Sequence, residues 1–330
     1  MTAAALLRST PTSGLRPIDP RRDLAGLGSL IESAFAERLD DSGKRMVRAM
    51  RSFGRWGWLG WAAGRLFLPP AAYPEGYVWQ EDGRIVGNAS LMRVDQAPHR
   101  WVLINVAVAP AWRRRGIAIS LVRACLDEAR RRGAGEVLLQ VDALSTGAQD
   151  LYHRLGFRHL SMRGTWSRRA SLEPPSPGGA DFARRRKPED IPELLTLVSR
   201  HHPEGLLWPR PLDEAVFRHP LGLGWTGHWV WPRSGPLRAC LSAFPGYDAP
   251  GVHLVMVLDQ EARGQAEAPL LDVGLLAMPP RGASVRLEVA EAADESVLRR
   301  YGFQLDRRLA WMALTLADGT ETPGRQGTRG

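Results

Sequence analysis

A chain of 330 residues is longer than one hydrophobic core comfortably fills, which implies two domains; its 44% hydrophobic and 24% charged content is that of a globular protein. No apolar run approaches the ~20 residues of a membrane-spanning helix, and the N-terminal segment lacks the apolar core and cleavage site of a secretory signal, so a cytoplasmic location is expected. The formal charge of +9 is almost wholly arginine, Lys44 and Lys187 being the two lysines, and no basic cluster with interleaved aromatics appears, which argues against a nucleic-acid interface.

Residues 1–14 read as a tail, and Leu15, Arg16, Pro17 and Ile18 as a first strand. Asp23 is placed to cap a helix through Leu24, Leu27, Leu30, Ile31 and Phe35, and a second helix is expected from Lys44 to Phe53. Residues 52–68 carry Phe53, Trp56, Trp58, Trp61 and Phe67 among glycines. They form either a cover over a sheet edge or a lid lined with aromatics. Tyr77, Val78 and Trp79, an Asp82-Gly83 turn, and Ile85, Val86 and Gly87 spell a hairpin.

The most informative stretch comes next. Residues 102–108 form a β-branched apolar run that Pro110 ends, because proline lacks a ladder N–H. After it stand Arg113, Arg114, Arg115 and Gly116, and then Ile117, Leu121, Cys125 and Ala129 recur on one helix face until Gly133 stops the helix. A helix N-terminus offers unpaired N–H groups and the positive end of the dipole, and guanidinium forks match phosphate oxygens. Strand, basic turn, glycine and helix together make a pyrophosphate cradle. Arg130, Arg131 and Arg132 lie in the last helical turn, where a structural role at the dipole's negative end is expected. A strand at Glu136, a helix ending near Leu155 and a strand from Phe157 to Trp166 complete the unit.

Residues 170–180 have the composition of a linker, and the chain beyond them resembles the first unit again. A helix from Asp190, a hairpin about Arg233, Ser234 and Gly235, an echo of Leu138, Leu139, Gln140 and Val141 in Arg286, Leu287, Glu288 and Val289, and Gly302-Phe303 after Gly156-Phe157 all recur in order. Matching glycine to glycine puts Gly264 at the place of Gly116, Glu261 at that of Arg113 and Arg300 at that of Tyr152. Pro269 is then expected to distort the second helix and Pro279-Pro280 to end it early, so the second copy reads as degenerate. Residues 317–330 read as a second tail.

Val106-x-Val108-x-Pro110-x-x-Arg113-x-x-Gly116-x-Ala118, the strand at 135–141, and Ala148-x-x-x-Tyr152-x-x-x-Gly156-Phe157 resemble, in order and spacing, the signature of the GNAT N-acetyltransferase superfamily. The resemblance implies an α/β protein of two tandem GNAT domains, each a mixed central sheet flanked by helices. The first spans 15–169 and binds acetyl-CoA; the second spans 181–316 and shapes the structure or the acceptor site. It implies transfer of an acetyl group to a primary amine of an unidentified acceptor, and the alternative is a non-catalytic acyl-CoA-binding regulatory module. In that fold the backbone of Val106, Ala107 and Val108 would pair with the pantetheine amides, and Arg113, Arg114, Arg115, Gly116, Ile117, Ala118 and Ile119 would hold the pyrophosphate. Ser145 stands where many relatives have an asparagine that touches the cofactor. Tyr152 aligns with the family's general acid, against the plainer reading of a packing aromatic.

The base is more open. Relatives often carry glutamate where this strand has Asn105, which leaves Asp142 as a candidate, with Glu32 and Glu37 behind it. The eight histidines show no ligand spacing, His201-His202 reads as a turn, and no metal site is expected. Cys125 and Cys240 read as reduced core thiols, and the oligomeric state is left open.

Overall fold

The computed structural model describes residues 13–35, 41–55, 75–94, 97–169, 178, 180–207, 210–212, 214–218, 227–245, 251–277, 284–290 and 292–316. Trp56, Trp58, Trp61 and Phe67 of the aromatic stretch, Glu37, Pro279-Pro280, most of the linker and nearly all of both tails lie outside the described residues. None of the described helices is long and apolar enough to cross a membrane. The chain packs into two compact units: Met1–Arg93 with Pro98–Val137 and Thr315–Gly330, and Val94–Ala97 with Leu138–Leu314.

In the first unit, β1 (Gly14–Pro17), β2 (Glu75–Glu81), β3 (Arg84–Arg93) and β4 (Arg100–Val108) pair antiparallel in that order. The turn between β2 and β3 has φ of 45° at Asp82 and 75° at Gly83, as the Asp-Gly pair predicts. Helix α1 (Pro20–Phe35) starts three residues before the expected cap. Asp19 precedes Pro20, and the Asp23 carboxylate reaches back to accept the Asp19 N–H at 2.7 Å. Asp23 also receives both nitrogens of the Arg16 fork, at 2.6 and 2.8 Å. It fixes the helix start from inside the first turn instead of capping it. Helices α1 and α2 (Asp41–Gly54) bury Leu24, Leu27, Ile31, Val47 and Met50 with Val78 of β2.

Helix α3 (Ile117–Arg131) buries Ile117, Leu121, Cys125 and Ala129, the stripe that the four-residue spacing predicts, together with Val122 and Leu126. At its end Arg130 pairs with Asp127 at 2.8 Å, and Arg132 with Glu128 and Glu75 at 2.5 Å each, before Gly133 turns the chain at φ 77°. Of these pairs, Arg132–Glu75 ties the helix end to the start of β2.

The second unit contains most of β5 (Glu136–Asp142), then α4 (Thr146–Arg154), β6 (Arg158–Arg168), β7 (Arg184–Arg185), α5 (Ile191–His201), β8 (Leu206–Leu207), β9 (Arg210–Pro211) and α6 (Glu214–Arg218). β10 (Gly227–Trp231), β11 (Ala239–Pro245), β12 (Gly251–Leu258), α7 (Glu267–Leu276), β13 (Ser284–Ala290), α8 (Glu295–Arg300) and β14 (Gln304–Thr315) complete it. Its sheet runs β5-β14-β6-β13-β12-β11-β10-β7. β6 lies antiparallel to both β13 and β14, whereas β12 and β13 are parallel. That pairing of β6 with strands more than a hundred residues later draws the compact boundary to Val137 rather than to the linker.

Alternation along β12 feeds two cores. Val252, Leu254, Met256 and Leu258 join the α7 side, and Val255 and Val257 the α5 side. Pro269 sits within the first turn of α7, where its missing N–H would have had no intrahelical partner, and Leu270 N still bonds Ala266 O at 3.0 Å. The expected distortion does not occur.

Candidate functional site

The end of β4 turns through a single 3-10 turn (Pro110–Trp112) into a left-handed residue, Arg114, with φ 63°, and a second, Gly116, with φ 77°, which caps α3. No side chain caps this helix start. Ser120 N, bonded to Gly116 O at 3.1 Å, is the first donor satisfied within the helix. The N–H groups of Ile117, Ala118 and Ile119 are therefore left pointing out of the first turn. A Cβ built on Gly116 would meet nothing within 4 Å, so the space before these donors is open and the glycine is required by its φ.

The three arginines are held differently. Arg113 Nε reaches back to Val108 O at 3.2 Å, and Arg115 stacks its guanidinium 4.6 Å from the Trp112 ring centre. Arg114 has no ion-pair partner among the described residues. Open space, aligned donors and exposed positive charge fit a pyrophosphate group.

Upstream, β4 is bulged, a feature that the sequence pattern does not announce. Asn88 pairs with Ala107 and Ser90 with Ile104, so Asn105 and Val106 together face the single residue Ala89. Asn105 takes up the extra residue at φ 54°. Val106, Ala107 and Val108 form the extended segment between this bulge and the cradle.

Asp142, Ser145 and Tyr152 belong to the second unit. Asp142 accepts the Leu144 N–H at 2.8 Å, which holds the turn after β5, and Ser145 is the residue before α4, without a side-chain bond to the helix end. Tyr152 is 6% exposed, its ring edge-on to Phe157 at 5.7 Å between centres. Burial raises its pKa well above the ordinary phenol value, so the hydroxyl keeps its proton throughout the physiological range. Glu32 is committed to Arg51 at 2.5 Å.

The backbone also corrects the matching of the two halves. The 3-10 turn Gln260–Ala262 stands to α7 as Pro110–Trp112 stands to α3. Gly264, at φ 77°, thus matches Arg114, Arg263 matches Arg113, and Ala266 (φ −90°) matches Gly116. Glu261 falls at Ala111 and is paired with Arg238. At the next helix end, Phe303 N bonds Leu298 O at 3.1 Å as Phe157 N bonds Tyr152 O at 3.0 Å, so Leu298, not Arg300, takes the place of Tyr152. The acid near this helix start is Glu267, its first residue, fully buried and accepting the Asp294 N–H at 3.0 Å.

A polar cluster that the sequence did not announce lies on the α5 side of the second unit. His202 and Glu204 (both 0% exposed) meet Arg163 and Glu288, so His202 does more than turn the chain. His202, Glu204 and Glu288 each offer a ligand atom within 4.8 Å of the others. Arg163 bonds Glu204 directly and stands 3.8 Å from Glu288. The fixed cation already balances one of the carboxylates. Desolvation raises the Glu288 pKa to about 7, so near neutrality the second is half protonated.

Residues 44–157 match the family model described as Acetyltransferase (GNAT) family. Over 61 residues the chain is 36% identical to the ribosomal protein bS18-alanine N-acetyltransferase of Escherichia coli K12, spanning 18% of this chain and 41% of that protein. Over 101 residues it is 32% identical to human N-acetyltransferase 8, spanning 29% and 44%. The chain thus spans less than half the length of these curated relatives. A GCN5-related N-acetyltransferase from Sphaerobacter thermophilus superimposes with a TM-score of 0.60 over 93% of this chain and 96% of that one, at 17% identity. That likeness shows a common α/β fold.

Proposed function

We propose, from the match of residues 44–157 to the GNAT acetyltransferase family, that this chain is an acetyl-CoA-dependent N-acetyltransferase acting on a primary amine. The cradle carries the reading: a helix start with free donors, two left-handed residues and open space before Gly116. Arg114, Arg115 and the N–H groups of Ile117, Ala118 and Ile119 would hold the pyrophosphate, with Arg113 bracing the turn. The backbone of Val106, Ala107 and Val108 would hold the pantetheine arm. When bound, acetyl-CoA supplies a thioester whose carbonyl carbon forms the new C–N bond as the C–S bond breaks. Tyr152, protonated near neutral pH, would be the general acid that the family resemblance implies, giving its proton to the departing sulfur. Asp142, whose carboxylate accepts the Leu144 N–H, would accept the amine proton directly or through water.

We further read the chain as two tandem copies, 15–169 and 181–316, that exchange their last strands. β10-β11-β12-α7-β13-α8-β14 repeats β2-β3-β4-α3-β5-α4-β6, yet β6 lies beside β13 and β14 lies between β5 and β6. The second copy would be the non-catalytic one. A cytoplasmic enzyme is consistent with two buried free cysteines, whose thiols desolvation pushes up to about 12. The test is release of CoA thiol from acetyl-CoA across amino-acid, polyamine, aminoglycoside and peptide N-terminal amines. Amine-dependent release is expected for at least one class. Tight acetyl-CoA binding with no release for any class would instead favour a regulatory acyl-CoA-binding module.

A further inference from the structure

The bulge in β4 is held by a residue of the neighbouring strand. Asn105 is the extra residue, and its left-handed φ of 54° turns its carbonyl out of the ladder. A half-buried carbonyl turned out of its ladder still needs a partner, and a left-handed residue other than glycine needs its surroundings to fix it. Asn88 supplies both. Its carboxamide Nδ2 donates to Asn105 O at 2.8 Å and to Ser90 Oγ at 3.1 Å, while Ser90 Oγ returns a longer contact to Asn88 Oδ1 at 3.4 Å. Asn88 is 1% exposed and Ser90 0%. The amide orientation is forced, because the flipped form would set Oδ1 against the Asn105 carbonyl. Two buried polar side chains, on a strand whose other residues between Arg84 and Arg93 are apolar, thus serve a single backbone kink.

We infer that Asn88 is a positioning residue for acetyl-CoA: by locking the Asn105 bulge it sets which backbone groups of Val106, Ala107 and Val108 face the pantetheine arm. This rests on the assignment of acetyl-CoA to the cradle. The physical reason is the period of two in a strand. Loss of the extra residue from the bulge shifts register by one, and a shift of one exchanges the groups presented on either side of the strand. The cradle lies beyond this segment and draws its donors from the start of α3, so the two halves of the ligand should respond differently.

The experiment compares two probes on the full chain: acetyl-CoA, and the 3′-phosphorylated ADP moiety, which keeps the pyrophosphate and lacks pantetheine. Asn88→Ala should weaken acetyl-CoA binding roughly tenfold or more, the scale of an unmade buried hydrogen bond, and leave the nucleotide's affinity unchanged. Adding Asn105→Gly to Asn88→Ala should restore most of the loss, since glycine adopts the left-handed conformation without help. Should Asn88→Ala not fold, Asn105→Val in the otherwise intact chain should give the same split, because a β-branched residue rejects that φ. Equal loss for both probes, or no loss for either, overturns the positioning role. If the unaltered chain binds neither probe, it is the acetyl-CoA assignment itself that falls, and this inference with it.

Discussion

β4 with α3, and β12 with α7, are built on one backbone plan and end in different chemistry. Each is a strand, a 3-10 turn, a left-handed residue two positions later and a helix soon after that. Three local differences separate them. β4 carries an extra residue at Asn105, while β12 pairs with β11 from Ala239↔Leu258 to Pro245↔Val252 without a slip. Gly116 is left-handed where Ala266 is helical. Ile117 opens α3 with an apolar side chain, whereas α7 opens on Glu267, whose buried side chain accepts the Asp294 N–H. β12 also stays in register with parallel β13 over six consecutive pairs. The two turns share a backbone plan, and they differ in a bulge, one backbone angle and the first side chain of the helix.

The strongest way to break that comparison is stoichiometry. The chain is expected to bind one acetyl-CoA, and Gly116→Val should reduce this to none. Valine at φ 77° is disfavoured by sterics, and displacing the free donors removes charge-assisted contacts of ~1.5–3 kcal/mol each, so a loss of ~100-fold or more is expected. Calorimetric titration of both proteins decides it. Two sites in the unaltered chain, or one remaining in Gly116→Val, would mean that the chain holds acetyl-CoA somewhere other than the β4–α3 turn.

Much of the β4–α3 turn is legible in the sequence because its signals are local. The apolar stripe of α3, the Asp-Gly turn and the strand-breaking Pro110 each act within a few residues. The β12–α7 turn misleads for a specific reason: a glycine reports a left-handed position only where the chain uses one. Gly264 does mark such a position, but its counterpart is Arg114, which adopts φ 63° without any glycine to announce it. Aligning the letters therefore moves the comparison by two residues and casts Glu261 as the intruding acid. Asn105 leaves an equally faint trace, one polar residue in a β-branched run. The pairing of β6 with β13 and β14 leaves none, since strand partners more than a hundred residues apart follow from packing rather than local pattern.

The next effect in size concerns the α4 and α8 ends. Tyr152 and Leu298 hold matching positions, so removal of one hydroxyl should make the first resemble the second in chemistry alone. Tyr152→Phe is expected to lower kcat by ~100-fold, the low end for general acid catalysis, with KM for acetyl-CoA nearly unchanged because the ring still packs on Phe157. Steady-state kinetics at saturating amine would measure it. Full activity in this variant would leave Tyr152 as a packing residue and require another proton donor.

The smallest effect tests the strands, β5 against β13. Gln140 in β5 and Glu288 in β13 stand at matching places, and Glu288 is 8% exposed with Arg163 and Glu204 beside it. Burial raises its pKa from 4.5 to about 7, against the pull of Arg163 toward the charged form. A carboxyl whose folded pKa is raised stabilises the fold fully below its unfolded pKa, and that contribution is lost as pH rises through the folded value. Glu288 should therefore withdraw stability between about pH 4.5 and 7, by a figure on the order of 3 kcal/mol at most. His202, His228 and His253 work in the opposite sense, since burial lowers each to about 4 and favours the folded state as pH rises toward 6.5. A wild-type profile alone would blend the two trends, so the difference between proteins is the useful quantity. Glu288→Gln keeps the shape and removes only the carboxyl titration. Its melting temperature should equal that of the unaltered chain near pH 4, exceed it increasingly between about pH 4.5 and 7, and keep that margin up to pH 8. A variant less stable at pH 8 would show that ionised Glu288 gains more from Arg163 than it loses by burial.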